Sequence, residues 1–237
     1  MSGKLVLWDF DGTLAHREGM WTGTLIEILQ AEEPSLQPTR DELRPYLQAG
    51  FPWHSPDVPH PDIQDASIWW QRLTPFFERA FASLGLNSER TTELAALVRS
   101  QYCKLEKWEL FDDALPALTG FARNGWSQAI LSNHVPELPS IVDALGLASF
   151  FTDIYTSAVT GYEKPHAEAF RIGLQALPGA STVWMIGDNP VADIGGAEKV
   201  GIPSILVRKS DASVHRQCED LTRVQQMIEN IKIRRIG

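Results

Sequence analysis

Cysteine is nearly absent from this chain of 237 residues. The two present, Cys103 and Cys218, are far apart and have no second pair. A disulfide framework and a thiolate metal site are therefore not expected, and free thiols suit a reducing cytosol. An excess of positive charge is lacking as well: 21 Lys and Arg stand against 30 Asp and Glu, a formal net charge of −9. Such a field repels polyanions and argues against nucleic acid or an acidic membrane as partner. Long apolar runs are also missing. Lys4 opens a short apolar stretch that stops at Asp9, too short for a signal sequence or a membrane span, so the cytoplasm is the expected location. No cluster of His and Cys at ligand spacing offers a zinc site. From Ala15 to Cys103 there is no lysine at all.

What is present is the make-up of an ordinary folded protein, 43% hydrophobic and 22% charged. The length accommodates one well-buried α/β core with a smaller module attached. The run from Lys4 to Asp9 reads as a buried strand closed by a turn at Asp11, Gly12 and Thr13. From Trp21 the apolar spacing becomes helical, at Leu25, Ile28 and Leu29, then at Leu43 and Leu47 behind a helix-start signal of Thr39 with Glu42. No strand signal interrupts this region. Pro52, Pro56, Pro59 and Pro61 force a loop, and two helices follow at about 67–84 and 88–103.

Beyond Glu109 helix and strand alternate. Helices are expected at 114–123, from Pro136, at 166–177 and at 190–200, with strands at 128–131, near Ile154, at 182–186 and at 204–207. Alternation of this kind implies a Rossmann-like parallel sheet with helices on both faces, here carrying an inserted α-helical module. Residues 1–14 and 110–237 would form the α/β core and 15–109 the helical insertion. A closing helix is expected at 218–231, its end complemented by Lys232, Arg234 and Arg235.

In such a sheet the ligand site lies beyond the carboxyl ends of the strands. Asp9, Ser132, Lys164 and Asp188 each fall at such an end or in the loop after it, so four distant segments converge. Asp9 and Asp11 are separated by one residue, which leans both carboxyl groups to one side. With Asp188 and Asp193 nearby, the acids would repel one another unless a cation were present, and Mg²⁺ is the oxygen-seeking ion that also bridges to phosphate. The matching chemistry is two-step phosphoryl transfer: Asp9 attacks phosphorus, and Asp11 protonates the leaving alkoxide and later deprotonates water. The Ser132 hydroxyl and the Lys164 ammonium would hold the phosphoryl oxygens.

Asp9-Phe10-Asp11-Gly12-Thr13-Leu14 resembles the first motif of the haloacid dehalogenase-like hydrolases. Leu131-Ser132-Asn133 is similar to the second, Gly161-Tyr162-Glu163-Lys164-Pro165 to the third, and Gly187-Asp188-Asn189 with Asp193 to the fourth. The resemblance implies an Mg²⁺-dependent phosphatase acting on a small phosphorylated metabolite, with catalytic Asp9 and Asp11. It also implies metal ligation by Asp9, Asp11 through its carbonyl, and Asp188, metal support from Asp193, and phosphate binding by Ser132, Asn133 and Lys164. His166 departs from the Asp that many members carry after the Lys-Pro pair. Residues 15–109 would be the cap of the capped subfamily, with hinges near 14–20 and 106–112.

Within that family, halide removal needs no protonated leaving oxygen, so Asp11 favours phosphorus over carbon–halogen chemistry. A phosphonate hydrolase would need a Schiff-base lysine from the cap, and Ala15 to Cys103 offers none. A sugar phosphomutase is the alternative reading, and a non-catalytic binding module a more distant one. Trp53 and His54 in the proline-rich loop, together with Trp21, are candidate substrate contacts, His16 and Arg17 lying close by. Trp69, Trp70, Leu73, Phe76 and Phe77 instead have the helical spacing of a core. Monomer and homodimer both fit the sequence.

Overall fold

The computed structural model describes residues 3–61, 63 and 65–236, with side chains through residue 231. The expected cations Lys232, Arg234 and Arg235 lie outside the described side chains. Strand β1 (Lys4–Trp8) leads through a tight turn to β2 (Ala15–Arg17). Helices α1 (Met20–Glu32), α2 (Arg40–Leu43), α3 (Ala66–Ala82) and α4 (Ser88–Tyr102) follow before β3 (Trp108–Leu110). The chain then runs through α5 (Ala114–Arg123), β4 (Ser127–Ser132), α6 (Leu138–Ala144), β5 (Asp153–Thr156), α7 (Ser157–Thr160) and α8 (Ala167–Gly173). It closes with β6 (Thr182–Gly187), α9 (Gly196–Lys199), β7 (Ser204–Val207), β8 (Gln217–Cys218) and α10 (Val224–Ile236).

Six strands form one sheet in the order β5-β4-β1-β6-β7-β8, every pair parallel. The apolar run of β1 explains its central place, because a strand covered on both faces must be apolar on both. Leu5 and Leu7 point into one cluster with Leu131, Phe170 and Met185. Val6 and Trp8 point into the other with Phe121, Ile130 and Ile186. Trp8 is closed to solvent, its ring edge-on to Phe121 at 5.3 Å and its N–H donating to Gln128 Oε1 at 3.1 Å. Truncating such an aromatic to alanine costs about 3–5 kcal/mol.

The register fixes the site. Trp8 pairs with Ile130 of β4 on one side and Ile186 of β6 on the other. Adjacent strands lie about 4.8 Å apart, so the residues beyond these three ends are neighbours in space. Asp9, Ser132 and Asp188 are those residues.

The insertion differs from the sequence expectation in one respect. β2 and β3 pair antiparallel, His16 against Glu109, and form a small ribbon where the helical region leaves and rejoins the sheet layer. Three-residue strands are too short to show an alternating pattern, which is why none was expected there. Within the insertion, Trp69, Leu73, Phe77 and Phe81 of α3 are buried with Leu94, Val98 and Tyr102 of α4. The Thr39–Glu42 capping box forms as expected, but its helix lasts one turn before Pro45 redirects it into a 3₁₀ segment.

Three other boundaries shift. Residues 190–195 form a π-helical turn ahead of α9, and α8 stops at Gly173. The closing helix starts at Val224, because Cys218 is taken into the edge strand β8 and Asp220 caps a 3₁₀ turn before the helix.

Candidate active site

The loop after β1 is shaped by its own backbone. Leu14 N–H donates to Phe10 O at 2.9 Å and Gly12 N–H to Ala15 O at 2.8 Å, so the chain doubles back directly after Asp11. Gly12 sits at φ +78°, and a Cβ there would fall 2.5 Å from Asp188 Oδ2. Only glycine permits both the conformation and the close approach of the two acidic loops. From behind, Arg208 clamps the turn, its Nη2 donating to Thr13 O at 2.9 Å while its guanidinium pairs with Asp113.

Asp9 is the hub of the site. Ser132 Oγ donates to Asp9 Oδ1 at 2.9 Å, and Lys164 Nζ donates to the same oxygen at 2.8 Å. Lys164 also reaches Asp193 Oδ1 at 2.5 Å, and Asp193 Oδ2 accepts the Asn189 N–H at 2.9 Å. Both Asp193 oxygens are thus engaged, so this carboxylate positions its neighbours. Asn133, expected to bind phosphate, forms a two-way clamp on the Lys164 main chain: it donates to Lys164 O at 2.8 Å and accepts from Lys164 N–H at 2.7 Å. Its amide is committed at both ends, so it sets the place of the Lys164 loop.

The acids press on one another. Burial, then repulsion from Asp9 and Asp188, lifts the Asp11 carboxyl to about 8. Burial lifts Asp193 to about 7 in spite of Lys164, and burial with Asp9 also holds Asp188 above its ordinary value. Burial works against the Lys164 ammonium, but Asp193 and Asp9 outweigh it and raise its pKa. Carboxylate oxygens of Asp9, Asp188 and Asp193 come within 4.8 Å of one another. A hard, oxygen-only donor set whose acids are strained by mutual repulsion fits a hard divalent cation of the Mg²⁺ kind.

These groups form one end of a cavity of about 430 Å³. The same cavity is lined by Met20, Trp53 and Tyr102 of the insertion and by Val135 and Val191 of the core. Two expected contacts fall elsewhere. Trp21 is stacked on Tyr102 at 3.9 Å and 12° and packs against Phe51 and Phe77, so its indole belongs to the insertion's core. His54 is exposed, edge-on to Phe51, and does not line the cavity. Of the three, Trp53 is the one that reaches the cavity.

The model for haloacid dehalogenase-like hydrolases matches residues 4–201. The chain belongs to that family. This haloacid dehalogenase-like hydrolase is 26% identical over 215 residues to haloacid dehalogenase-like hydrolase domain-containing protein 3 of Danio rerio, a match that covers 88% of this chain and 86% of that one. It is 32% identical over 154 residues to the phosphoserine phosphatase of Thermus thermophilus, covering 62% of this chain and 59% of that protein. Its fold matches magnesium-bound YfnB of Bacillus subtilis with a TM-score of 0.73 at 20% identity, across 97% of this chain and 100% of the other.

Sequence reasoning passed over several residues of this hydrolase's cavity, Lys209, His134, Tyr102 and Met20 among them. Lys209 Nζ pairs with Asp188 Oδ2 at 2.7 Å. It follows the carboxyl end of β7, so the rule that located Asp9 could have found it. His134 comes two residues after Ser132 and is 2% exposed. Tyr102 and Met20 come from the two ends of the insertion and carry no local signal.

Proposed function

We propose that this hydrolase is an Mg²⁺-dependent phosphomonoesterase that acts on a small phosphorylated metabolite through an aspartyl-phosphate on Asp9. The observation that carries the reading is a buried carboxylate, Asp9, held by Ser132 Oγ and Lys164 Nζ beside a second carboxyl, Asp11, whose raised pKa keeps a proton near neutrality. The phosphoserine phosphatase relative supports the same chemistry. Asp9, Asp188 and the Asp11 main-chain carbonyl would hold the metal. When bound, the cation neutralises charge on the phosphoryl oxygens and on the ligating carboxylates.

In the first step an Asp9 carboxylate oxygen forms a bond to phosphorus as the ester P–O bond breaks, and Asp11 gives its proton to the departing alkoxide. Ser132 and Lys164 donate to the equatorial oxygens, where charge is spread in the transition state. In the second step Asp11, now ionised, takes a proton from water, which attacks phosphorus and releases phosphate from Asp9. Asp193 and Asn133 keep Lys164 in place through both steps.

Residues 15–109 act as a cap that closes the cavity and keeps bulk water from the acyl-phosphate. Supporting this, Met20, Trp53 and Tyr102 line the same cavity as Asp9, and the cap loop touches the core where His60 N–H donates to Gly161 O at 2.8 Å. The His60 ring meets the buried Glu163, next to Lys164, at 3.1 Å. Free Cys103 and Cys218 suit work in the cytosol.

The test is phosphate release from a panel of sugar phosphates, nucleoside monophosphates and phosphoglycolate, with Mg²⁺ and with chelator. Release that needs Mg²⁺ and vanishes in Asp9→Asn is the expected result. Isomerised sugar phosphate in place of free phosphate, or an undiminished rate in Asp9→Asn, overturns the proposal.

A further inference from the structure

The less polar wall of the cavity says what kind of alcohol the phosphate is attached to. Among the described residues six form that wall: Met20, Trp53 and Pro56 from the insertion, Tyr102 from its last helix, and Val135 and Val191 from the core. Four are aliphatic or proline side chains, and two are aromatic. Tyr102 is fixed by its stack on Trp21, and Trp53 by its stack on Phe51 at 4.7 Å and 14°, so the wall is preformed.

Charge is distributed just as unevenly. Two ammonium groups face the cavity, and both are engaged at the phosphoryl end: Lys164 with Asp9 and Asp193, Lys209 with Asp188. The insertion contains no lysine before Lys104. Among the described residues none of its arginines lines the cavity. Arg17 is buried on Glu27 at 2.5 Å, Arg99 is held by Glu137 at 2.8 Å, and Arg40 is paired with Glu18. A second anionic group laid on that wall, away from Lys164 and Lys209, would therefore lose its water without gaining a cationic partner, which is costly.

Among the described residues, the Tyr102 hydroxyl and the His134 imidazole are polar groups at this wall. His134 lines the cavity, is 2% exposed, and neither ring nitrogen is hydrogen-bonded to another side chain. Its main chain is pinned: its N–H donates to Ser157 Oγ at 3.2 Å, and its carbonyl accepts from Thr156 Oγ1 at 2.6 Å. Burial pulls the imidazole down to about 4, so the group is uncharged at neutral pH. A neutral imidazole offers one donor and one acceptor, which suits a hydroxyl or amide and gives nothing to a carboxylate that a cation would give.

We infer that the substrate of this site is a monophosphate whose alcohol half carries no second anionic charge, lays an apolar or aromatic face on the wall of Met20, Trp53 and Tyr102, and presents a neutral hydrogen-bonding group to His134. The inference rests on the phosphatase reading and narrows it. It sets aside phosphoamino acids, phosphoglycolate and sugar bisphosphates, all of which bear a further charge close to the ester.

A matched pair of primary alcohol phosphates tests this, with phosphate release followed at saturating Mg²⁺. 2-Phenylethyl phosphate supplies an uncharged aromatic face, and 3-phosphonooxypropanoate supplies a carboxylate at similar length. The expected result is a kcat/KM at least tenfold higher for the phenylethyl ester. Met20→Lys, which adds a cation to the wall, is expected to narrow that ratio at least threefold by speeding the carboxylate ester, with a melting curve to show the variant folded. Equal or faster turnover of the carboxylate ester by the unaltered protein overturns the inference and leaves the phosphatase reading standing. No phosphate from either ester, or from the wider panel, overturns both.

Discussion

Lys164 Nζ lies 2.5 Å from Asp193 Oδ1 at a point where the two side chains are 2% and 1% exposed. The lysine proposed to hold the substrate phosphate is thus tethered by an acid that itself ends on the Asn189 N–H. Asp193→Asn keeps the shape and removes the charge, leaving Asp9 as the charged partner that holds Lys164. We expect turnover to fall about 10- to 100-fold, the usual effect of losing a group that orients metal-site residues. Steady-state phosphate release over an Mg²⁺ titration checks this, and a rate within twofold of the parent would contradict it.

Two duties are proposed for Asp11, and its asparagine variant separates them. With an alkyl phosphate, Asp11→Asn should lose about 10²- to 10⁴-fold, since the alkoxide then departs without a proton. With 4-nitrophenyl phosphate the first step needs no proton, so one equivalent of nitrophenolate should appear quickly. Slow turnover should follow, because water still lacks its base. Stopped-flow absorbance resolves the burst, and its absence at full enzyme concentration would count against Asp11 as the general acid.

The acid cluster also makes a pH prediction. Asp11, lifted to about 8, and Asp193, lifted to about 7, hold more protons in the folded state than unfolded carboxyls do. Their contribution to stability is present below the unfolded value and is lost as pH rises through those raised values. His134, depressed to about 4, works in the opposite direction, but only below the ordinary histidine range. Between pH 6.5 and 8 the carboxyls therefore prevail. In chelator, the unfolding free energy from urea titration should fall across that window, by on the order of 1 kcal/mol per pH unit, and the midpoint with it. Added Mg²⁺ should flatten or reverse the trend, because cation binding is favoured as the protons leave. A midpoint that rises with pH in chelator would contradict the assignment.

Gly12 supplies a purely geometric test. At φ +78°, with Asp188 Oδ2 2.5 Å from the place a Cβ would take, Gly12→Ala must push the two acidic loops apart. Left-handed strain alone costs about 1–2 kcal/mol, which a domain of this size survives. We expect a folded protein with weakened Mg²⁺ binding by calorimetry and little turnover. Mg²⁺ binding unchanged in the folded variant would contradict the proposed ligand set.

The sequence was most legible where function and backbone share a short pattern. An apolar run that ends abruptly in acid, glycine and threonine reveals both β1 and Asp9, because a central parallel strand must be apolar and its carboxyl end is where ligands sit. The same reasoning located Ser132 and Asp188, and the structure sets all three side by side. The ribbon of β2 and β3 was invisible, three residues being fewer than two periods of a strand. Trp21 misled by its proximity in sequence to the catalytic turn; its ring is turned into the insertion, against Tyr102. Tyr102 and Met20 lie at opposite ends of four helices and meet in the cavity through tertiary packing alone. The clamp that Asn133 places on the Lys164 loop was hidden for a similar reason. Its partner, the Lys164 main chain, is 31 positions away.

All of this depends on Asp9 becoming phosphorylated. The most direct measurement is an acid quench of the working enzyme with ³²P-labelled 2-phenylethyl phosphate, followed by mapping of the labelled peptide. The account requires the label on Asp9, in an acyl linkage that hydroxylamine cleaves, and none in Asp9→Asn. Label on Ser132 or His134, or a labelled Asp9→Asn protein, would contradict it.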